Sequence, residues 1–313
     1  MPAPLRLLID TDPGVDDALA ILMALTHPCA EVLALSIVAG NVGIAHTTAN
    51  ALKLLEVAGR ADIPVHPGCA QPLVHPAADA AFVHGRDGFG DTAYLPAALA
   101  PSQEPAAAAL VRLARSHAGE LTLVALGPLT NLAVACHLDA AFPERIGRLV
   151  VMGGASTGRG NTDTIAAEFN VGFDPEAAQV VFSRFPKFEL VDWEAVLRHG
   201  FGHDAFARWL DADTARARFY SAISRRTRDW ARSSRGEKAW HSADALAMAV
   251  ALEPDGVTQA HERWVGVETG GRLSRGATVV DWDRRSGRPA NARILAQYDP
   301  ARFEALIRAA LGG

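Results

Sequence analysis

Leu5-Arg6-Leu7-Leu8-Ile9-Asp10-Thr11-Asp12-Pro13-Gly14-Val15-Asp16-Asp17-Ala18 is a short apolar run that ends in polar residues, turns at Pro13-Gly14 and continues with helical spacing from Asp16 to Leu25. It reads as a strand, a tight turn and a helix. Val32 to Gly40 repeats the strand, and Val42 to Gly59 carries apolar residues at helical spacing before stopping at a glycine. Further strands are expected at Ile63–His66, Leu121–Leu126, Leu149–Met152 and Phe188–Val191, with helices at Pro105–His117, Pro128–Leu138 and Pro175–Ser183 between them. Such alternation predicts an α/β fold with a mainly parallel, open, Rossmann-like sheet flanked by helices.

The second half reads as more helical from Phe201 to about Ser234. Another helix is expected at Asp244–Leu252, late strands at Val265–Val267 and Thr278–Asp281, and a closing helix at Ala301–Leu311 after Pro300. No repeat or linker divides the chain, so residues 1–313 are expected to form a single domain with an added C-terminal helical region.

The composition excludes several classes of protein. At 313 residues, 49% hydrophobic and 21% charged, the chain is globular in type, neither disordered nor a disulfide scaffold. The net charge of -5, with no block of like charge, offers no footprint for a nucleic acid or an anionic membrane. Cys29, Cys69 and Cys136 are widely spaced and odd in number, which fits a reducing compartment. No signal-peptide core and no membrane-spanning run is apparent, so a cytoplasmic protein is expected.

In an open parallel sheet, ligands bind beyond the carboxyl ends of the strands. Asp10 and Asp12, Gly40-Asn41, Gly127 and Met152-Gly153-Gly154 all fall at such ends and predict one polar rim. Four aspartates within eight residues repel one another unless protons or a cation intervene. With no His or Cys among them, a hard divalent ion is indicated, and the number of oxygens favours calcium over magnesium. The alternative for Asp16 and Asp17 is that they cap a helix, which is also the plainer reading of Asp244 in isolation. Trp240 and His241 precede that residue and could stack on a planar ring or donate a proton. Asp174, followed by Pro175, reads as a helix cap, whereas Glu168 and Asn170 in the preceding loop have no capping duty and could grip sugar hydroxyls.

Together these motifs resemble the calcium-dependent, inosine-uridine preferring nucleoside hydrolases. The likeness rests on the segment from Asp10 to Ala18, on Gly40-Asn41-Val42 with Thr47 to Asn50, on Gly127 to Asn131, and on Ala167 to Asn170 with Asp174 to Ala178. His84 to Gly90 is similar to the loop that covers the family's site. The resemblance implies Ca2+ held by Asp12, Asp17, Asp244 and the carbonyl of Leu126. It implies a ribose bound by Asp16, Asn41, Met152, Asn161, Glu168 and Asn170, with His84 near the base or the sugar. The implied reaction is hydrolysis of a purine or pyrimidine ribonucleoside to free base and ribose, with a calcium-activated water and Asp12 as general base. A homodimer or homotetramer is implied too.

One position departs from the family pattern: Ala243 stands where several relatives carry a His, which leaves His241 as the candidate proton donor to the base or an aromatic residue such as Trp240 as its activator. Two other readings compete. One is a nucleoside-binding protein without catalysis. The other is a haloacid-dehalogenase-type phosphatase with Asp10 as nucleophile, which needs no Pro-Gly-Val-Asp-Asp continuation.

Overall fold

The first strand, β1 (Leu5–Thr11), sends Leu7 and Ile9 to one face of the sheet and Leu8 to the other, so the alternation of side chains feeds two separate cores. The computed structural model describes residues 4–233 and 239–313. The strands that follow are β2 (Ala30–Ile37), β3 (Val65–Pro67), β4 (Leu121–Ala125), β5 (Arg148–Met152) and β6 (Phe188–Val191). Later come β7 (Phe201–Gly202), β8 (Ala239–Trp240), β9 (Val257–Arg263), β10 (Val265–Val267), β11 (Thr278–Val280) and β12 (Ala292–Tyr298).

Eight of them form one sheet in the order β3-β2-β1-β4-β5-β6-β12-β9. Every neighbouring pair in it is parallel except β12 with β9. The chain moves outward from β1 through β2 to β3, then returns to place β4 on the other side of β1. That reversal opens a crevice at the carboxyl ends of β1 and β4.

The helices of the first half are α1 (Val15–Thr26), α2 (Ile44–Ala58), α3 (Ala81–His84), α4 (Ala106–Ser116), α5 (Thr130–Leu138) and α6 (Phe142–Arg145). Those of the second are α7 (Phe169–Phe173), α8 (Pro175–Arg184), α9 (Trp193–Arg198), α10 (His203–Trp209), α11 (Ala215–Ser233), α12 (Ala243–Leu252) and α13 (Pro300–Leu311). On one face α1, α12 and α13 bury a core that includes Leu19, Leu246 and Ile307; on the other α4, α5 and α8 bury Leu110, Leu132 and Val181. All ten residues of α12 are buried, against α1 and the sheet. A helix apolar all round is a core helix, and its single acid, Asp244, stands at the end nearest the crevice.

The parallel α/β architecture is as expected from the sequence, with several local corrections. The late strands β10 and β11 exist, but they pair with each other as a separate antiparallel ribbon beside α8. The main sheet is instead extended by β12 and β9. The stretch expected to be helical from Phe201 opens with a two-residue strand and breaks between α10 and α11; its expected end, Ser234, lies outside the described residues. Among the described residues, no helix is long and apolar enough to cross a membrane.

Candidate active site

Asp12 follows the last residue of β1, in the crevice, and is fully buried. Its Oδ2 accepts a hydrogen bond from the backbone N–H of Asn41 at 2.7 Å, while its Oδ1 is buried without a partner. Burial, and then the charge of Asp17, hold its carboxyl well above the usual carboxylate range. Gly40 and Gly127 close on this carboxylate from two sides, so a Cβ at either position would overlap it. These glycines serve close approach to Asp12 rather than an unusual backbone angle.

Asp17 lies in the first turn of α1. It accepts from Thr11 Oγ1, from the N–H of Gly14 at 3.0 Å and from Asn41 Nδ2 at 3.0 Å. The helix-cap reading is therefore partly right for this residue, since Gly14 is the N-cap. Capping does not account for the rest of the cluster. Asp16, Asp17 and Asp244 each bring one carboxylate oxygen into a group whose members lie within 4.8 Å of one another. Asp244 is the second residue of α12, behind the N-cap Ser242, so it is not itself the cap. Burial, followed by the charges of Asp16, Asp17 and Asp12, pushes its carboxyl well up, and burial raises Asp16 to about 6.

The chemistry of this donor set fits a hard divalent cation. All the donors are oxygens, Asp17 and Asp244 are buried and Asp16 half-buried, and they repel one another with no Lys or Arg side chain among the described residues hydrogen-bonded to them. Of the four signature aspartates, Asp16 and Asp17 belong to this group, and Asp12 adjoins it through the charges of those two. The fourth, Asp10, turns away to accept from Ser36 Oγ and from Asn131 Nδ2 at 2.9 Å, and burial raises it to about 7. Neither it nor Asp12 nor Asp17 is on the cavity lining; Asp10 stands apart in being engaged by Ser36 and Asn131 rather than by the charges of the other acids, which does not suit the nucleophile of a phosphatase reading.

The cavity above the centre is lined by Asp16 and Asp244 together with Asn41, Met152, Asn161, Glu168 and Asn170, which the sequence placed on the sugar. The Nδ2 of Asn170 donates to the carbonyls of Leu126 at 2.7 Å and Met152 at 3.2 Å, tying the ends of β4 and β5 to α7. Glu168 needs a correction: it does have a capping duty. It is the N-cap of α7, accepting from the N–H of Asn170 and of Val171, and it also accepts from the N–H of Gly154 at 2.9 Å. Burial nevertheless raises its carboxyl to about 7. Asp174 caps α8 as expected, accepting from Ala177 N–H.

His84 and His241 both line the cavity. The Nδ1 of His84 accepts from the N–H of Val15 at 3.1 Å, and burial lowers this imidazole to about 4. It is thus neutral near pH 7, with its proton on Nε2 as a donor. Trp240 lines the cavity as well, but its ring stacks on Phe206 at 5.5 Å and belongs to the core. Sequence reasoning missed Phe82 and Trp230, whose rings meet edge to face at 6.1 Å on the cavity wall. They come from α3 and α11, with no motif around either to single them out.

Residues 7–305 match the family described as inosine-uridine preferring nucleoside hydrolase. The non-specific ribonucleoside hydrolase RihC of Klebsiella pneumoniae is 39% identical over 304 residues, covering 96% of each chain. Uridine nucleosidase 1 of Arabidopsis thaliana is 37% identical over 88% of this chain and 82% of its own. Among solved structures, the plant nucleoside hydrolase PpNRh1 superposes with a TM-score of 0.90 at 32% identity, covering 98% of this chain and 99% of that one. With the acidic centre, the amides of the cavity wall and these likenesses in agreement, the chain belongs to the inosine-uridine preferring nucleoside hydrolase family.

Proposed function

We propose that this protein is a calcium-dependent nucleoside N-ribohydrolase that cleaves the bond between the base and C1' of purine or pyrimidine ribonucleosides, giving free base and ribose. The observation that carries the reading is the meeting of Asp16, Asp17 and Asp244 beside the buried, unpartnered Oδ1 of Asp12. The carboxylates of Asp12, Asp17 and Asp244 and the carbonyl of Leu126 would hold the ion. When bound, calcium polarises water and offsets the mutual repulsion of the acids.

The reaction builds positive charge on C1' and the ring oxygen as the base departs. Asp12 takes the proton of the attacking water through Oδ1 and is held for that task by Asn41 N–H and the two flanking glycines. Asp16 and Asn41 grip the diol, Met152, Asn161, Glu168 and Asn170 the rest of the sugar, so remote hydroxyls supply binding energy for distorting the ring. His241 delivers a proton to the leaving base, and the Nε2–H of His84 donates a hydrogen bond toward it. We further propose a homodimer or homotetramer in the cytoplasm; the three cysteines are free thiols, as a reducing compartment requires.

The test is release of base and ribose from inosine, adenosine, guanosine, uridine and cytidine, with calcium and after chelation. Calcium-dependent release from at least one of them is expected. Nucleoside binding without release would make the protein a binder.

The flanking glycines give a second expected result. Gly127→Ala should lower kcat/KM by about 100-fold, because an ångström of displacement in a catalytic group is enough for that. Overpacking should cost only about 1–3 kcal/mol of stability. Steady-state kinetics beside a denaturant midpoint check both, and unchanged turnover would show that Asp12 tolerates the crowding.

A further inference from the structure

Asn161, half-buried on the cavity wall, also lines a neighbouring hollow of about 300 Å³ whose lining includes none of the acidic centre. It therefore stands at the end of the site away from Asp16, Asp17 and Asp244. A ribose that turns its vicinal diol to the acids presents its 5'-hydroxyl to this end. The Oδ1 of Asn161 is buried without a partner and suits a hydroxyl donor.

Asn161 lies midway along the loop between β5 and α7, and the first half of that loop is fastened by Glu194, a buried residue in the first turn of α9 that does not line the cavity. One oxygen of Glu194 accepts from Thr157 N–H at 2.9 Å, Thr157 Oγ1 at 2.7 Å and Arg159 N–H at 3.2 Å; the other accepts from Ser156 Oγ at 3.1 Å. Asp192, the N-cap of α9, adds a bond from Ser156 N–H at 3.1 Å. Beyond this anchor, Asn161 N–H donates to the carbonyl of Ala167 at 3.1 Å, which fixes the other end of the segment. A carboxylate accepting four bonds from one loop over-determines its path.

We propose that Glu194 is a positioning residue: by holding residues 156–159 it keeps Asn161 in reach of the sugar's 5'-hydroxyl. The inference rests on the ribohydrolase reading above, in which Asn161 already binds the ribose, and adds the residue that holds it there. Selectivity is large where a site built for a hydroxyl meets an analogue without it.

The experiment compares kcat/KM for inosine and 5'-deoxyinosine, or for uridine and 5'-deoxyuridine if that base is preferred. The wild-type protein is expected to favour the parent nucleoside by roughly 10- to 100-fold, the range for one hydrogen bond in a buried polar site. In Glu194→Ala that ratio should fall toward one, through loss on the parent alone, and Glu194→Gln, which keeps an acceptor for Thr157 and Arg159, should restore most of it. Asn161→Ala should show the same collapse, with Glu194→Ala adding nothing to it. If Glu194→Ala does not fold, Thr157→Val, which removes a single bond to Glu194, carries the comparison with a smaller fall. Equal loss on parent and analogue would make Glu194 merely structural and overturn the proposal, as would equal use of both by the wild type. Failure to cleave any parent nucleoside would instead strike the ribohydrolase reading, and this inference with it.

Discussion

Asp12→Asn is expected to lower kcat/KM by about 10³-fold or more while the folded protein becomes no less stable. The loss follows from removal of the proposed general base, a role typically worth 10² to 10⁴ in rate, together with one proposed calcium ligand. The stability follows from the surroundings of the same residue. An asparagine keeps an oxygen for Asn41 N–H, and it removes a buried carboxylate that faces Asp17 and Asp16. Activity and stability should therefore part company, as at other sites where function maintains local repulsion. The comparison to make is kinetics alongside thermal melts in the presence of chelator. Asp10→Asn is the control: it leaves the cavity wall untouched, and turnover within about tenfold of wild type is expected, given that the side chain acts only through Ser36 and Asn131. If Asp10→Asn were the inactive variant instead, the assignment of Asp12 would fall.

Removing the metal is expected to abolish turnover and also to change how stability responds to pH. Burial holds Asp16 at about 6 and Glu168 at about 7, with Asp12 and Asp244 further raised by their neighbours, whereas the unfolded chain titrates these groups near 4. Between about pH 4 and 7 the folded, metal-free protein thus binds more protons than the unfolded one. Its stability must fall as pH rises through that window and keep falling until Asp12 and Asp244 have also lost their protons. Chelated protein should melt at a higher temperature at pH 5 than at pH 8. Calcium restored at pH 8 should recover the difference, by about 2.7 kcal/mol when the ion is a hundredfold above its Kd. A chelated protein that is more stable at pH 8 would mean that the carboxylates are balanced by something other than a cation.

The acidic signature was legible because its residues follow one another in the chain, and the strand before it is apolar on both faces. The same holds for β4, β5 and β6, whose buried runs of Leu and Val include one polar residue, Thr122. The strands β9 and β12 were not legible for a physical reason. The first is the edge of the sheet and reads Val-Thr-Gln-Ala-His-Glu-Arg, with the polar character by which exposed edges avoid further pairing. In the second, Arg293 interrupts the apolar pattern because it pairs with Glu189 of β6 at 3.0 Å. At the site, the motifs led to the polar residues of the cavity wall and to the acids. The cap formed by Glu168 is local, on Asn170 and Val171, but Glu is not among the preferred cap residues. The turning away of Asp10 and the pair of Phe82 and Trp230 depend on contacts between distant segments, which spacing does not encode.

The acidic centre joins segments made at different times. Asp12, Asp16 and Asp17 are synthesised more than two hundred residues before Asp244, which sits on a core helix, and β12, which lies between β6 and the edge strand β9, comes later still. At roughly 5–20 residues per second, a nascent chain carries its early acids for tens of seconds before their partner exists. Throughout that interval the acidic group is incomplete. Its assembly is consequently a late event, and a chain truncated before α12 lacks Asp244 and cannot complete the proposed ion site.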